Sequence, residues 1–219
     1  MRISIKDCAN LARDSYDLSD AIKDGRGVKG ITDSLDQKGA QALVTVDKVL
    51  LIPGTNQLSD WIKNFNVYNI SGKKFGARDT AKSITGATFH AGFWRHTCQI
   101  HQFARDNNVK FIIGHSLGAA TAQILGVALN VPAVAFASPR VKRGGYKVRY
   151  ESKVLNICRV DDLVTRVPPS EMGFRRLGKT VRLIPPSINS GFDHSMKHYI
   201  KALDFETFDN ELPKTWGQS

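Results

Sequence analysis

Gly114-His115-Ser116-Leu117-Gly118 places a hydroxyl between two glycines, where the apolar run Phe111-Ile112-Ile113 gives way to Ala119 and Ala120. A strand that reverses at once into a helix needs residues without bulky side chains on both sides of the turn, and Gly114 and Gly118 meet that need. Ser116 then sits strained at the tip. Its hydroxyl points away from the sheet, and the Leu117 amide and the positive end of the next helix face the same space. Such a hydroxyl is presented for attack on an ester carbonyl. The five-residue pattern alone is weak, since glycine and serine are common, and its weight comes from the flanking strand and helix patterns.

A serine hydroxyl is a poor nucleophile until an imidazole takes its proton, and the imidazole works best when a carboxylate fixes its tautomer. In a parallel sheet with such a turn, the partners follow in the order serine, acid, histidine. Asp161-Asp162 closes the apolar run of residues 154–160, and His194 precedes a helical repeat of Met196, Tyr199, Ile200 and Leu203. The order fits, with either aspartate chemically able to serve.

These residues need elements to carry them. Residues 4–16 read as an amphipathic helix with Ile5, Cys8, Leu11, Ala12 and Ser15 on one face, and a short helical piece follows Asp17. Gly25, Gly27 and Gly30 mark a loop. Residues 42–46 and 49–52 read as a hairpin about Asp47-Lys48, ending at Pro53-Gly54-Thr55. Trp61, Ile62 and Phe65 at helical spacing, followed by Gly72-Lys73-Lys74-Phe75-Gly76, make residues 56–75 a candidate lid. Helices are expected over 93–104 and 121–129, and strands over 133–137, 154–160 and 180–184. Helices alternating with buried strands predict an α/β class, with a mostly parallel sheet and helices on both faces, in one domain over residues 1–219.

Taken in order, Gly114-His115-Ser116-Leu117-Gly118-Ala119-Ala120, Ala137-Ser138-Pro139-Arg140-Val141 and the run Val160-Asp161-Asp162-Leu163-Val164-Thr165-Arg166-Val167-Pro168-Pro169 resemble the class 3, filamentous-fungal type lipase family. Upstream, Pro53-Gly54-Thr55 resembles that family's Arg-Gly-Ser/Thr segment, Asp60-Trp61-Ile62 its Asp-Trp-Leu stretch, and His90-Ala91-Gly92-Phe93 its His-x-Gly-Phe segment. The resemblance spans residues 42–203 and points to a short, bacterial-like member. It implies an α/β-hydrolase fold, with Ser116 as nucleophile, Asp162 as orienting acid and His194 as general base. It further implies an oxyanion hole from Thr55 and the Leu117 amide. Two positions depart from the pattern: Pro53 replaces an arginine, and Asp161 stands at a frequent asparagine. The segment His194-Ser195-Met196-Lys197-His198-Tyr199 resembles bacterial members with His-Ser-Met before Tyr, which selects His194 over His198.

Composition adds limits. Thirty-one Lys and Arg against 20 Asp and Glu give a net charge of +11. Residues 140–182 alone hold twelve basic against four acidic side chains, an excess of eight. Such a face suits an anionic lipid surface or simple solvation, and it lacks the interleaved aromatics of a nucleic-acid module. The three cysteines lie in or beside apolar segments and read as buried, reduced thiols. No His/Cys spacing suggests a metal and no glycine-rich loop a phosphate cofactor, so none is inferred. Without a leader-like or membrane-length apolar stretch, the simplest reading is a cytoplasmic protein, with release by a signal-independent route compatible. The expected activity is hydrolysis of acyl-lipid esters. A phospholipase or thioesterase is the alternative on the same fold, and a non-catalytic binding protein the alternative from another class.

Overall fold

The computed structural model describes residues 1–37, 39–55, 80–82, 86–185, 187–188, 193–204 and 211–217. The proposed lid over 56–75, with Trp61, Ile62 and Phe65, lies outside the described residues.

The chain opens with strand β1 (Arg2–Ser4) and helix α1 (Ile5–Lys23). Ser4 caps α1 by accepting from the Asp7 amide at 3.0 Å, and Asp7 places a negative charge in the first turn. The two helical pieces expected from sequence are one helix of 19 residues, because Ala12, Ser15 and Ser19 continue a single buried stripe. Strands β2 (Ile31–Gln37), β3 (Ala40–Thr45) and β4 (Val49–Ile52) follow, with β3 and β4 forming the expected hairpin. After β5 (Thr80–Lys82) and β6 (Thr88–His90) come helix α2 (Ala91–Asp106), strand β7 (Phe111–His115), helix α3 (Leu117–Leu129) and strand β8 (Ala133–Phe136). The remainder is β9 (Lys142–Arg143), β10 (Val154–Arg159), β11 (Phe174–Arg175), β12 (Lys179–Leu183), α4 (Met196–Leu203) and β13 (Thr215–Gly217).

Seven strands form the central sheet in the order β12-β10-β8-β7-β4-β3-β2. Pairings from β12 to β4 are parallel, and those of β4 with β3 and β3 with β2 are antiparallel. Alternate strand positions face opposite helical layers, as the two-residue pleat requires. Val49, Leu51, Phe111, Ile113, Val134, Phe136, Leu155 and Ile157 share one cluster with Cys8 and Ala12 of α1 and Tyr199 of α4. Leu50, Ile52, Ile112, Ala133 and Ala135 share the other with Ile100 of α2 and Ala119, Ala122 and Leu125 of α3. Full burial of each large side chain contributes about 1.5–3 kcal/mol, so this two-faced core fixes the strand register beneath the carboxyl edge.

A four-stranded antiparallel sheet, β11-β9-β6-β5, and the β1-β13 pair complete the described strands. All three cysteines are free; Cys8 and Cys158 are buried, whereas Cys98 is exposed on α2, contrary to the expectation of three buried thiols. Among the described residues, no helix is long and apolar enough to cross a membrane.

Candidate active site

β7 ends at His115, Ser116 adopts φ 59° and ψ −118°, and α3 begins at Leu117. A positive φ on a residue with a Cβ costs about 1–2 kcal/mol and persists only where the surroundings enforce it. Here they do. A Cβ on Gly114 would overlap the Gly118 carbonyl, and one on Gly118 would overlap the carbonyls of Ile52 and Pro53. The turn therefore closes only with glycine at both places. It also lays the end of β4 across the start of α3: a Cβ on Gly54 would fall 2.8 Å from the Ser116 Cβ. Pro53 and Gly54 thus run beside Ser116 and the start of α3. Leu117 opens α3, so its amide belongs to the first turn, which lacks intrahelical acceptors.

Asp162 follows β10 at the same carboxyl edge and is 1 % exposed. Its Oδ2 accepts from His194 Nδ1 at 2.9 Å and from the Tyr199 hydroxyl at 2.7 Å, and its Oδ1 accepts from the Val164 amide at 2.9 Å. Burial alone would raise the Asp162 pKa; the His194 bond and charge, with the Tyr199 and Val164 bonds, outweigh it and hold the group below its ordinary value. Burial and the Asp162 charge push the Tyr199 hydroxyl well above its usual range, so it stays a donor.

With Nδ1–H committed to Asp162, Nε2 of His194 carries the lone pair. That Nε2 and the Ser116 Oγ are both buried, and neither has a hydrogen-bond partner among the described residues. The structure thus brings Ser116, Asp162 and His194 to one edge and separates the two aspartates. Asp161 is taken by Arg159, whose Nε and Nη2 donate to its two oxygens at 3.0 and 2.9 Å. His198 turns away toward Asp193, with an Nδ1–Oδ1 separation of 3.1 Å and a side chain 41 % exposed.

Sequence reading takes His115 for a buried, hydrogen-bonded support, which it is, but misses its partner Tyr16 and the role of Arg159. Tyr16 of α1 donates to His115 Nδ1 at 2.6 Å and accepts from the Gly54 amide at 2.8 Å, while His115 Nε2 donates to the His194 carbonyl at 2.9 Å. Arg159 adds donation to Asp193 at 2.7 Å and to the His198 carbonyl at 3.1 Å, tying β10 to the His194 loop. The available signal was a tyrosine four residues beyond Ala12 on the apolar stripe of the first helix, and it named no partner. Among the described residues, no group of three His, Cys, Asp or Glu side chains is placed to hold a metal.

A family model described as lipase (class 3) matches residues 49–172, more than half of the chain. The triacylglyceride lipase of Rhizomucor miehei superposes with a TM-score of 0.59 at 17% identity, covering 80% of this chain and 77% of that one. Lipase II from Rhizopus niveus gives 0.59 at 19% identity, covering 85% and 84%. A rice protein, phospholipase A1-II 4 of Oryza sativa subsp. japonica, is 37% identical over 82 residues, 31% of this chain and 20% of its own length. The chain thus spans about a fifth of that relative. The structural likenesses carry the α/β-hydrolase fold, and the family match, running from β4 through the turn at Ser116 past Asp162, carries descent: this chain belongs to the class 3 lipase family.

Proposed function

We propose that the protein is a serine carboxylic-ester hydrolase acting on acyl lipids, with Ser116 as nucleophile, His194 as general base and Asp162 as the carboxylate that orients it. The observation carrying this reading is the buried, unpartnered Nε2 of an imidazole whose Nδ1 is held by Asp162, at the edge where Ser116 is strained outward.

Ser116 attacks the ester carbonyl as His194 Nε2 takes its proton, and negative charge builds on the carbonyl oxygen. The amides of Thr55 and Leu117 receive that charge; one such donor is worth about 100- to 1000-fold in turnover. His194 then protonates the departing alcohol, leaving an acyl-enzyme, and passes a water proton through the same nitrogen to release the acid. Membership of the class 3 lipase family supports acyl lipids as substrates.

A fluorophosphonate probe, with p-nitrophenyl esters of increasing chain length, tests the reading. Ser116 is the expected labelled residue, and Ser116→Ala is expected to abolish both labelling and turnover. Labelling elsewhere, or equal turnover by Ser116→Ala, would refute it.

The rice phospholipase relative favours a second reading in which the acyl ester belongs to a phospholipid, and the basic excess over residues 140–182 suits presentation of that lipid at an anionic surface. Turnover on anionic vesicles that falls with salt, while turnover on neutral ester emulsions does not, distinguishes it.

A further inference from the structure

A cavity of about 600 Å³ is lined by residues that flank Asp162 in the chain, Arg159 and Val160 before it and Leu163 and Thr165 after it, and by none of Ser116, Asp162 and His194. Five arginines line it, from five places in the chain: Arg140 after β8, Arg159 at the end of β10, Arg166 in the short turn after Asp162, Arg176 after β11 and Arg182 in β12. Glu171 is the one acid among these lining residues.

The arginines are not equivalent. Arg159 is neutralised by Asp161 and Asp193. Arg140, Arg166 and Arg176 meet no carboxylate within ion-pair distance among the described residues, and are held by backbone carbonyls instead. Arg140 donates to the carbonyls of Arg166 and Pro168, Arg166 to that of Val160, and Arg176 to those of Ser138 and Thr165. A guanidinium has five N–H donors, so each of the three keeps at least three outside these bonds. Carbonyl contacts fix a guanidinium in space without cancelling its charge. Burial lowers the proton affinity of Arg140, and the nearby charge of Arg176 lowers it further, against the opposing charge of Glu171.

Like charges gathered in a concave wall are unfavourable unless an anion enters, and the wall focuses their field on the space between them. The volume falls within the ~300–1,000 Å³ of small-molecule sites. Planar guanidinium forks match phosphate oxygens in pairs. We propose that this cavity binds a phosphate-bearing anion, the chemistry shared by a phospholipid head group and a free phosphate compound. The compact convergence of guanidiniums from separate segments favours a small, multiply charged group over an extended acidic peptide. The proposal does not rest on the hydrolase reading.

Calorimetric titration of the full chain with inorganic pyrophosphate tests it, alongside sedimentation with phosphatidylcholine vesicles with and without phosphatidic acid. Saturable pyrophosphate binding is expected, weakened about tenfold or more in R140Q/R176Q and unchanged in S116A, so failure of the hydrolase reading would leave this result standing. Because the double variant removes bonds to backbone carbonyls, E171Q supplies a second arm. Losing the one acid should tighten pyrophosphate binding about two- to fivefold without touching the fold. Phosphatidic acid vesicles captured and displaced by pyrophosphate would mark a head group as the source. Pyrophosphate binding without vesicle capture would mark a free phosphate compound. Absent saturable binding, equal affinities in wild type and E171Q, or capture of a polyglutamate peptide in place of pyrophosphate would overturn the proposal.

Discussion

The Tyr16 hydroxyl and the His115 imidazole are joined by a 2.6 Å hydrogen bond that ties the N-terminal helix to the residue preceding Ser116. Its direction follows from its neighbours. His115 Nε2 faces the His194 carbonyl, so that nitrogen bears the hydrogen and Nδ1 accepts. Burial, assisted by the neighbouring His194 charge, pulls the His115 pKa down to about 3, and burial pushes the Tyr16 pKa up to about 12. Both groups are therefore neutral across the working range. The bonds run unbroken from the Gly54 amide through Tyr16 and His115 to the backbone of His194, linking the proposed oxyanion strand to the proposed base.

Tyr16→Phe keeps the ring and removes the link. The Gly54 amide and His115 Nδ1 lose their partner, a cost of about 1–3 kcal/mol, or a fall in melting temperature of about 2–4 °C per kcal/mol. Because both ends of the proposed machinery loosen, kcat on a short p-nitrophenyl ester is expected to fall more than KM rises. Thermal melting and steady-state kinetics measure the two effects. A variant matching wild type in both would show that the bond is incidental.

The two adjacent aspartates are expected to fail differently. Asp162→Asn gives up part of the carboxylate's own stabilisation but acts chiefly by misorienting His194, and a loss of about 10⁴-fold in kcat per folded molecule is expected. Asp161→Asn acts on stability, because Arg159 is buried and loses one carboxylate. The cost should stay below the about 3–5 kcal/mol of a fully orphaned buried charge, since Asp193 remains 2.7 Å away. Denaturant unfolding with active-site titration separates them. Comparable kcat losses in both folded variants would contradict the assignment.

The contrast between these neighbours shows where sequence reading stops. The Ser116 turn was legible because two backbone approaches leave no room for side chains, and that constraint writes glycine into the chain at fixed spacing. The central strands were legible as short apolar runs between helical patterns. Strand β2 was not: it is an edge strand whose side chains are mostly exposed, so burial imposed no alternation on its sequence. The two- and three-residue strands of the smaller sheets, such as β9 and β11, are too short for an alternating pattern to show in their sequence. Asp161 and Asp162 look alike until Arg159 takes one of them. Tyr16 meets His115 across 99 positions, a contact set by how α1 lies on the sheet. The basic excess was visible as charge, and its gathering into a cavity depends on the paths of five separate segments.

Stability should fall as the pH drops from about 6.5. Burial lowers the His96 pKa from 6.5 to about 4, and His115 from 6.5 to about 3, so both stay neutral in the folded state while the unfolded chain takes up protons. The unfolded state binds more protons across that window, and stability therefore rises with pH through it and levels above about 6.5. The lowered Asp162 adds stability that is present above its unfolded value and lost further into acid. Unfolding free energies at a series of pH values check the slope. His96→Gln, which removes one of the two buried imidazoles, should flatten it between 6.5 and 4. An unchanged slope would mean that His96 protonates in the folded protein as freely as in the unfolded one.

Gly118→Ala and Gly126→Ala sit at opposite ends of α3 and separate closure of the turn from general packing. The Cβ at 118 would strike the Ile52 and Pro53 carbonyls, which are backbone and cannot rotate aside. The end of β4 must then lift off α3, carrying residues 53–55 away from Ser116. The Cβ at 126 would instead meet the Ala133 Cβ at 2.8 Å, far from the site and relieved only by a shift of α3 against β8. Overpacking costs about 1–3 kcal/mol, and both variants should melt earlier, with Gly118→Ala at the upper end or beyond. Only Gly118→Ala should lose kcat per folded molecule, because only there does relief of the clash displace a proposed oxyanion donor. Melting curves, with kcat normalised to fluorophosphonate-reactive protein, measure both; full activity per reactive Gly118→Ala molecule would show that the position of residues 53–55 does not limit turnover.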